Sequence, residues 1–252
     1  MMFDLTGRVA VVTGASSGLG AQFAKVLAQQ GADLVVLARR RDKLETVAEE
    51  IRKTGRKCLV VTADVTKTDE VKAAVAEVIK EYGRVDILVN NAGVGTMAPA
   101  ETYPDETWNK EIAVDLTGVF IVAREFGSEM IKQKYGRIIN IASMFGIMGS
   151  ALQSSAYHAA KGGVVNLTRA LAAEWAPHNI TVNAICPGFF PSEMTQSLFE
   201  TEDFQNYLKT FVPMHRGGRD GELNPALIYL ASDEASYTTG SMVVVDGGQT
   251  CI

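Results

Sequence analysis

Tyr157 and Lys161 stand four residues apart in the run SAYHAAKGG (155–163), a spacing that sets two side chains on one helix face, one turn apart. A free phenol titrates near ~10, too high to release its proton readily at neutral pH. An ammonium group held one turn away favours the phenolate, which would bring the pair into the range of general acid/base work. The same spacing is found on ordinary solvated helix faces, so the pair needs companions to carry meaning. One companion is the run VVTGASSGLG (11–20), where Gly14, Gly18 and Gly20, with Ser16, Ser17 and Leu19 among them, fall between a strand pattern and a helix pattern. A helix N-terminus exposes unpaired N–H groups and partial positive charge, and glycines let a diphosphate approach the backbone, so a nucleotide fits there. The spacing is GxxxGxG and not the GxGxxG of most dinucleotide sites.

The elements that must position these groups read clearly. Short β-branched runs occupy 8–14, 32–39, 57–65, 85–93, 136–143, 180–188 and 241–248, each ending at Gly or a small residue, as buried strands do. Amphipathic stretches at 19–30, 42–54, 68–82, 106–134, 156–176 and 222–231 alternate with them. Strand and helix in this alternation predict a doubly wound, Rossmann-like α/β fold, a mostly parallel seven-stranded sheet with helices on both faces. No linker or repeat interrupts it, so residues 1–252 are expected to form one domain. The least regular segment, 189–221, is expected to be a loop over the substrate.

Composition narrows the function. The chain has 252 residues, 47% of them hydrophobic and 21% charged, and a net charge of -5, which offers no broad basic surface for nucleic acid. Cys58, Cys186 and Cys251 are few and widely spaced, fitting reduced thiols better than a disulfide or zinc framework. His158, His178 and His215 lack partners at metal-ligand spacing, so no metal site is expected. No signal peptide or membrane-length apolar run is visible, and a cytoplasmic protein without membrane contact is the expectation.

TG(x)3GxG after the first strand, NNAG at Asn90–Gly93 ending the fourth, Ser143 ending the fifth, YxxxK at Tyr157–Lys161 and the Pro187-Gly188 pair after the sixth occur in one order along the chain. Together they resemble the short-chain dehydrogenase/reductase family, over essentially the whole chain, and NITVNAICPGFFPSEMT (179–195) resembles both its 3-oxoacyl-acyl-carrier-protein reductase and gluconate 5-dehydrogenase branches. The resemblance implies an NAD(P)(H)-dependent oxidoreductase that moves a hydride between the nicotinamide and a secondary alcohol or ketone. It implies Tyr157 as general acid/base and Lys161 as the group that lowers the tyrosine pKa and binds the nicotinamide ribose, with Ser143 holding the substrate oxygen. The interval from Ser143 to Tyr157 is one residue longer than in the reductases of the family, which leaves Ser154 and Ser155 as substitutes. Where the family usually has an asparagine in a proton relay from the lysine to solvent, this chain has Asp115 in VDLTG. Ionised aspartate accepts hydrogen bonds and cannot donate as an amide does.

At the end of the second strand, where NAD enzymes commonly carry an acid, stand Ala38 and then Arg39, Arg40 and Arg41. Arg39 can meet a 2′-phosphate bidentately, so NADP(H) is the expected cofactor, with NAD(H) second. By the same resemblance Asp64 and Val65 would contact adenine, Asn91 and Gly93 would line the cofactor cleft, Pro187 and Gly188 would shape the nicotinamide end, and Ser192 or Thr195 would bond the carboxamide. Phe189, Phe190, Met194, Phe199, Met144, Phe145 and Met148 would make the substrate wall apolar, although they could equally be packing. A 3-oxoacyl thioester, a sugar acid such as 5-ketogluconate and other ketones all stay open as substrates. A dinucleotide-binding sensor without turnover is the alternative reading, and family members are usually homotetramers.

Overall fold

Seven strands form one sheet in the order β3-β2-β1-β4-β5-β6-β7 in the computed structural model, which describes residues 2–193 and 195–251. They are β1 (Val9–Thr13), β2 (Asp33–Ala38), β3 (Cys58–Thr62), β4 (Ile87–Asn90), β5 (Gly136–Ile141), β6 (Ile180–Pro187) and β7 (Met242–Val245). Every neighbouring pair is parallel, so the expected mostly parallel sheet is here wholly parallel. Strands β1, β4, β5 and β6 are buried along their whole length and β2 at all but its ends, in keeping with their largely apolar runs. Alternate residues serve opposite layers. Ala10 and Val12 of β1 pack with α1 (Gly18–Gln29) and α2 (Arg41–Arg52), while Val9 and Val11 pack under α3 (Thr68–Tyr82) and the helices that follow.

The chain runs from β1 outward to β3 and then returns to place β4 on the other side of β1. That reversal opens a crevice beyond the carboxyl ends of β1 and β4, the place where open α/β sheets bind ligands.

The 106–134 stretch is not one regular helix. It is α4 (Asp105–Ile112), a π-helical segment (Ala113–Gly118) and α5 (Val119–Gln133). Such wide turns commonly mark functional positions, and this one contains Asp115. The long helix α6 (Ser155–Trp175) packs across it. The 189–221 segment is also more regular than expected. It contains α7 (Gln196–Phe199) and the amphipathic α8 (Glu202–Phe211), which is capped by the Thr201 hydroxyl, begins with Glu202 and Asp203, and buries Phe204 and Leu208. The run TEDF carried that start signal. After it comes α9 (Asn224–Ala231), with Pro225 in its first turn.

Close packing of α6 on the π segment holds the site together. A Cβ on Gly163 would lie 2.8 Å from Leu116 Cδ2, whereas one on Gly162 would meet only the Gly146 carbonyl oxygen at 3.7 Å. Gly163→Val is therefore expected to overpack this contact and cost about 1–3 kcal/mol. Gly162→Ala should be neutral or stabilising by up to about 1 kcal/mol through helix propensity. Urea unfolding of both variants against the parent checks the contrast, and equal losses would refute it.

Candidate active site

The strand ends and the Gly-rich turn open into one cleft of about 630 Å³, lined at one end by Gly14, Ser16, Ser17, Gly18, Leu19 and Gly20 and at the other by Ser143, Tyr157 and Lys161. The turn is shaped for a ligand to touch backbone. A Cβ on Gly14 would stand 2.8 Å from Ala92 Cα, and one on Gly20 would collide with the Gly14 carbonyl. Gly18 has φ of +53°, the left-handed region that glycine tolerates. The first N–H groups of α1, which have no partner within the helix, lie at this edge of the cleft and are the kind of donor set a diphosphate needs.

Lys161 is 3% exposed and Asp115 fully buried. Lys161 Nζ donates to the Ile141 carbonyl at 3.1 Å, and Asp115 Oδ2 lies 3.1 Å from the same nitrogen. That second contact is one of charge, because Oδ2 makes no hydrogen bond of its own. Asp115 Oδ1 accepts from the Val94 backbone N–H at 2.8 Å. Gly93 lets the chain pass over the pair: a Cβ there would sit 3.0 Å from Asp115 Oδ2 and 3.6 Å from Lys161 Nζ. Burial alone would lower the Lys161 pKa, but Asp115 and then Tyr157 outweigh it and hold the ammonium above its ordinary value. Burial likewise pushes the Asp115 carboxyl up, with Lys161 opposing.

Tyr157 lines the cleft, with its ring centroid 5.4 Å from Lys161 Nζ. Its pKa departs from the expectation. Burial pushes the phenol above its ordinary value, Lys161 opposes this, and the negative charge of Asp115 adds to it. Asp115, itself close to Lys161, thus works with burial against the lysine's pull on the phenol. A phenol held above its ordinary value keeps its proton at neutral pH.

Ser143 follows β5 and caps a short 3-10 turn, its Oγ accepting from the Phe145 N–H at 3.2 Å, which leaves the hydroxyl proton to donate into the cleft. Of the two substitutes, Ser154 gives its hydroxyl proton to the Leu152 carbonyl at 2.9 Å, and Ser155 does not line the cleft. Asn91 also has a knitting role: its amide donates to the Thr13 carbonyl at 3.0 Å, tying β4 to β1 at the crevice. Asp64 and Val65 line the cleft, as do Pro187 and Gly188, although the Asp64 carboxylate turns to the Thr66 backbone N–H at 2.9 Å. Ser192 and Thr195 lie 3.0 Å apart by their hydroxyl oxygens, and Thr195 donates to the Phe190 carbonyl at 2.6 Å.

Arg39 lines the cleft, but the guanidinium that bonds the glycine-turn serines belongs to Arg40, which reaches Ser16 Oγ at 3.0 Å and Ser17 Oγ at 2.8 Å. The sequence pointed to Arg39 for a 2′-phosphate; both arginines border the cleft, and it is Arg40 that holds the serines. The apolar wall is narrower than expected: Met144, Phe145, Phe189 and Phe190 line the cleft, while Met148 and Phe199 join the cluster built on Phe204 and Leu208. Met194 lies outside the described residues. Under the site runs a polar chain that the motifs did not suggest, from Asn90 to Asn140 at 2.9 Å and from Asn140 to Thr168 at 3.0 Å.

The chain matches the short chain dehydrogenase family over residues 8–203. It is 40% identical over 240 residues to the 3-oxoacyl-acyl-carrier-protein reductase of Staphylococcus epidermidis, covering 95% of this chain and 97% of that one. Among solved structures, a gluconate 5-dehydrogenase from Burkholderia cenocepacia in complex with NADP and tartrate superposes with a TM-score of 0.96 at 36% identity, covering 99% of this chain and 98% of the other. A short-chain type dehydrogenase/reductase from Mycobacterium marinum does so at 0.95 and 39%, covering 100% and 98%. With a parallel sheet of this order, a glycine-lined crevice and a serine, tyrosine and lysine at its inner end, the chain belongs to the short-chain dehydrogenase family of oxidoreductases.

Proposed function

We propose that the protein is a nicotinamide-dependent reductase of ketones, running also as a secondary-alcohol dehydrogenase, with residues 1–252 working as one dinucleotide-binding and catalytic domain. The convergence of Ser143, Tyr157 and Lys161 on the cleft that begins at the Gly-rich turn carries this reading. A bound nicotinamide would supply or accept the hydride. The chain's own part is to hold the carbonyl oxygen with the Ser143 hydroxyl and to give that oxygen the Tyr157 phenolic proton. Lys161, fixed by Ile141 and Asp115, keeps a charge beside the phenol and is left with donors for the nicotinamide ribose. Asp64 and Val65 then border the adenine, and Ser192 or Thr195 the carboxamide. A phenol held in its protonated form suits reduction.

NADP(H) is the favoured cofactor, because Arg40, Lys43, Ser16 and Ser17 cluster where a 2′-phosphate would lie and no acid ends β2. The substrate we favour is a carbonyl on a moderately apolar body, such as a 3-oxoacyl thioester, for which Met144, Phe145 and Phe189 provide the wall. The relatives that act on gluconate keep a sugar acid as the second choice. The half-exposed edge strand β7 and exposed Trp108 and Phe120 favour a homotetramer. The absence of any helix long and apolar enough to cross a membrane, among the described residues, fits a cytoplasmic enzyme. Size-exclusion chromatography should give four times the 27.1 kDa chain mass, and a monomeric elution would refute the assembly.

Oxidation of NADPH and NADH should be followed against 3-oxoacyl thioesters and keto sugar acids. Turnover with one class supports the reductase; dinucleotide binding without turnover on any ketone or alcohol would favour a sensor. Tyr157→Phe should lower kcat by about 10²–10⁴-fold while dinucleotide binding is kept. Asp115 sets the pH range. Reduction needs protonated Tyr157 and is lost as pH rises through its raised pKa, so removing the Asp115 charge in Asp115→Asn should move that alkaline limb to lower pH. A pH-rate profile identical to the parent's would remove Asp115 from the mechanism.

A further inference from the structure

Glu193, in the segment that follows β6, is held by side chains from two distant parts of the chain. Ser17 Oγ donates to its Oε2 at 2.6 Å, Arg40 spans the carboxylate with Nη1 to Oε1 at 3.0 Å and Nη2 to Oε2 at 2.8 Å, and Lys43 Nζ reaches Oε1 at 3.1 Å. The guanidinium is braced from behind by Ser16 Oγ at 3.0 Å. A forked guanidinium, an ammonium and a hydroxyl converging on one point are the donors that recognise a phosphate monoester, and a carboxylate offers them the same planar pair of acceptors with less charge. These donors edge the adenosine end of the cleft, since Ser16, Ser17, Arg40 and Glu193 all line it. The carboxylate and the guanidinium remain about half exposed, at 52% and 43%, so their contact is of the weak, breakable kind.

We propose that Glu193 is an internal stand-in for the 2′-phosphate and sets the selectivity between the two dinucleotides. A cofactor carrying that phosphate gains Arg40, Lys43 and Ser17 only by displacing the carboxylate, and one with a free ribose hydroxyl leaves it in place. The inference rests on reading the cleft as a nicotinamide dinucleotide site. Displacement also reaches the substrate end. The neighbouring Ser192 lies against the turn, 3.5 Å from where a Cβ on Gly18 would be, and bonds Thr195, which in turn bonds the Phe190 carbonyl on the cleft wall.

Titration of the purified protein with NADPH and with NADH, read by nicotinamide fluorescence, tests this without turnover. Glu193→Gln is expected to tighten NADPH about fivefold, because a larger fraction of the protein has the cradle free, and to leave NADH within about twofold. Arg40→Ala should weaken NADPH, and adding Glu193→Gln to it should bring no further gain. Equal effects on both dinucleotides, or a gain that survives the loss of Arg40, would overturn the stand-in. Wild-type protein that binds neither dinucleotide would overturn the cofactor reading and this inference with it, whereas binding indifferent to Glu193 overturns the inference alone.

Discussion

The contact between Lys161 and Asp115 is the constraint around which the site is arranged. At 3.1 Å two unit charges attract by about 5 kcal/mol at the effective dielectric of a protein site. Removing each from water costs several kcal/mol, so the attraction roughly offsets the desolvation and leaves little net stability. What the pair gains is position. Lys161 comes from α6 and Asp115 from the π segment, and the Ile141 carbonyl and Val94 N–H tie them to the end of β5 and to the loop that follows β4. Four elements are fixed by one buried pair, and loss of either charge would leave the other without a partner in a dry place.

The surrounding packing follows from this. Gly93 has no room for a side chain over the pair, Gly163 brings α6 onto Leu116, and the wide π turn carries Asp115 inward where α4 and α5 alone would continue a regular spiral. Asn90, Asn140 and Thr168 extend the polar anchoring below. Each of the two inner asparagines is fully or nearly fully buried, so the chain of bonds is also a condition for placing polar groups there at all.

Much of this was legible in the sequence because it depends on neighbours along the chain. The seven strands follow from short runs rich in β-branched residues, and Gly14 and Gly20 from a strand-to-helix turn with no room for a Cβ, with Gly18 in the left-handed region between them. What escaped depends on residues far apart. Arg40 and Glu193 are separated by 153 positions, and nothing local tells Arg39 from Arg40 as the one that bonds Ser16, Ser17 and Glu193. The division of the 106–134 helix was hidden because the π turn continues the right-handed helical backbone, with no proline or side-chain cap in the sequence to mark it. Helix α8 was missed for a different reason: its N-terminal signal was present, but the aromatic residues of 189–221 suggested a wall for the substrate when several of them pack on each other.

The charge of Asp115 and the charge of Glu193 act at opposite ends of one cleft, and both are negative where the motifs alone suggested a neutral amide or no group at all. At the inner end the carboxylate is fully buried, so its effect is a standing one: it adds to the burial that holds the phenol above its ordinary pKa, against the pull of the lysine. At the outer end the carboxylate is half exposed, so its effect is conditional on what competes for Arg40. The same residue type therefore serves in one place as a fixed field and in the other as a displaceable ligand. Burial decides which, because desolvation makes a charge costly to rearrange and exposure makes it cheap.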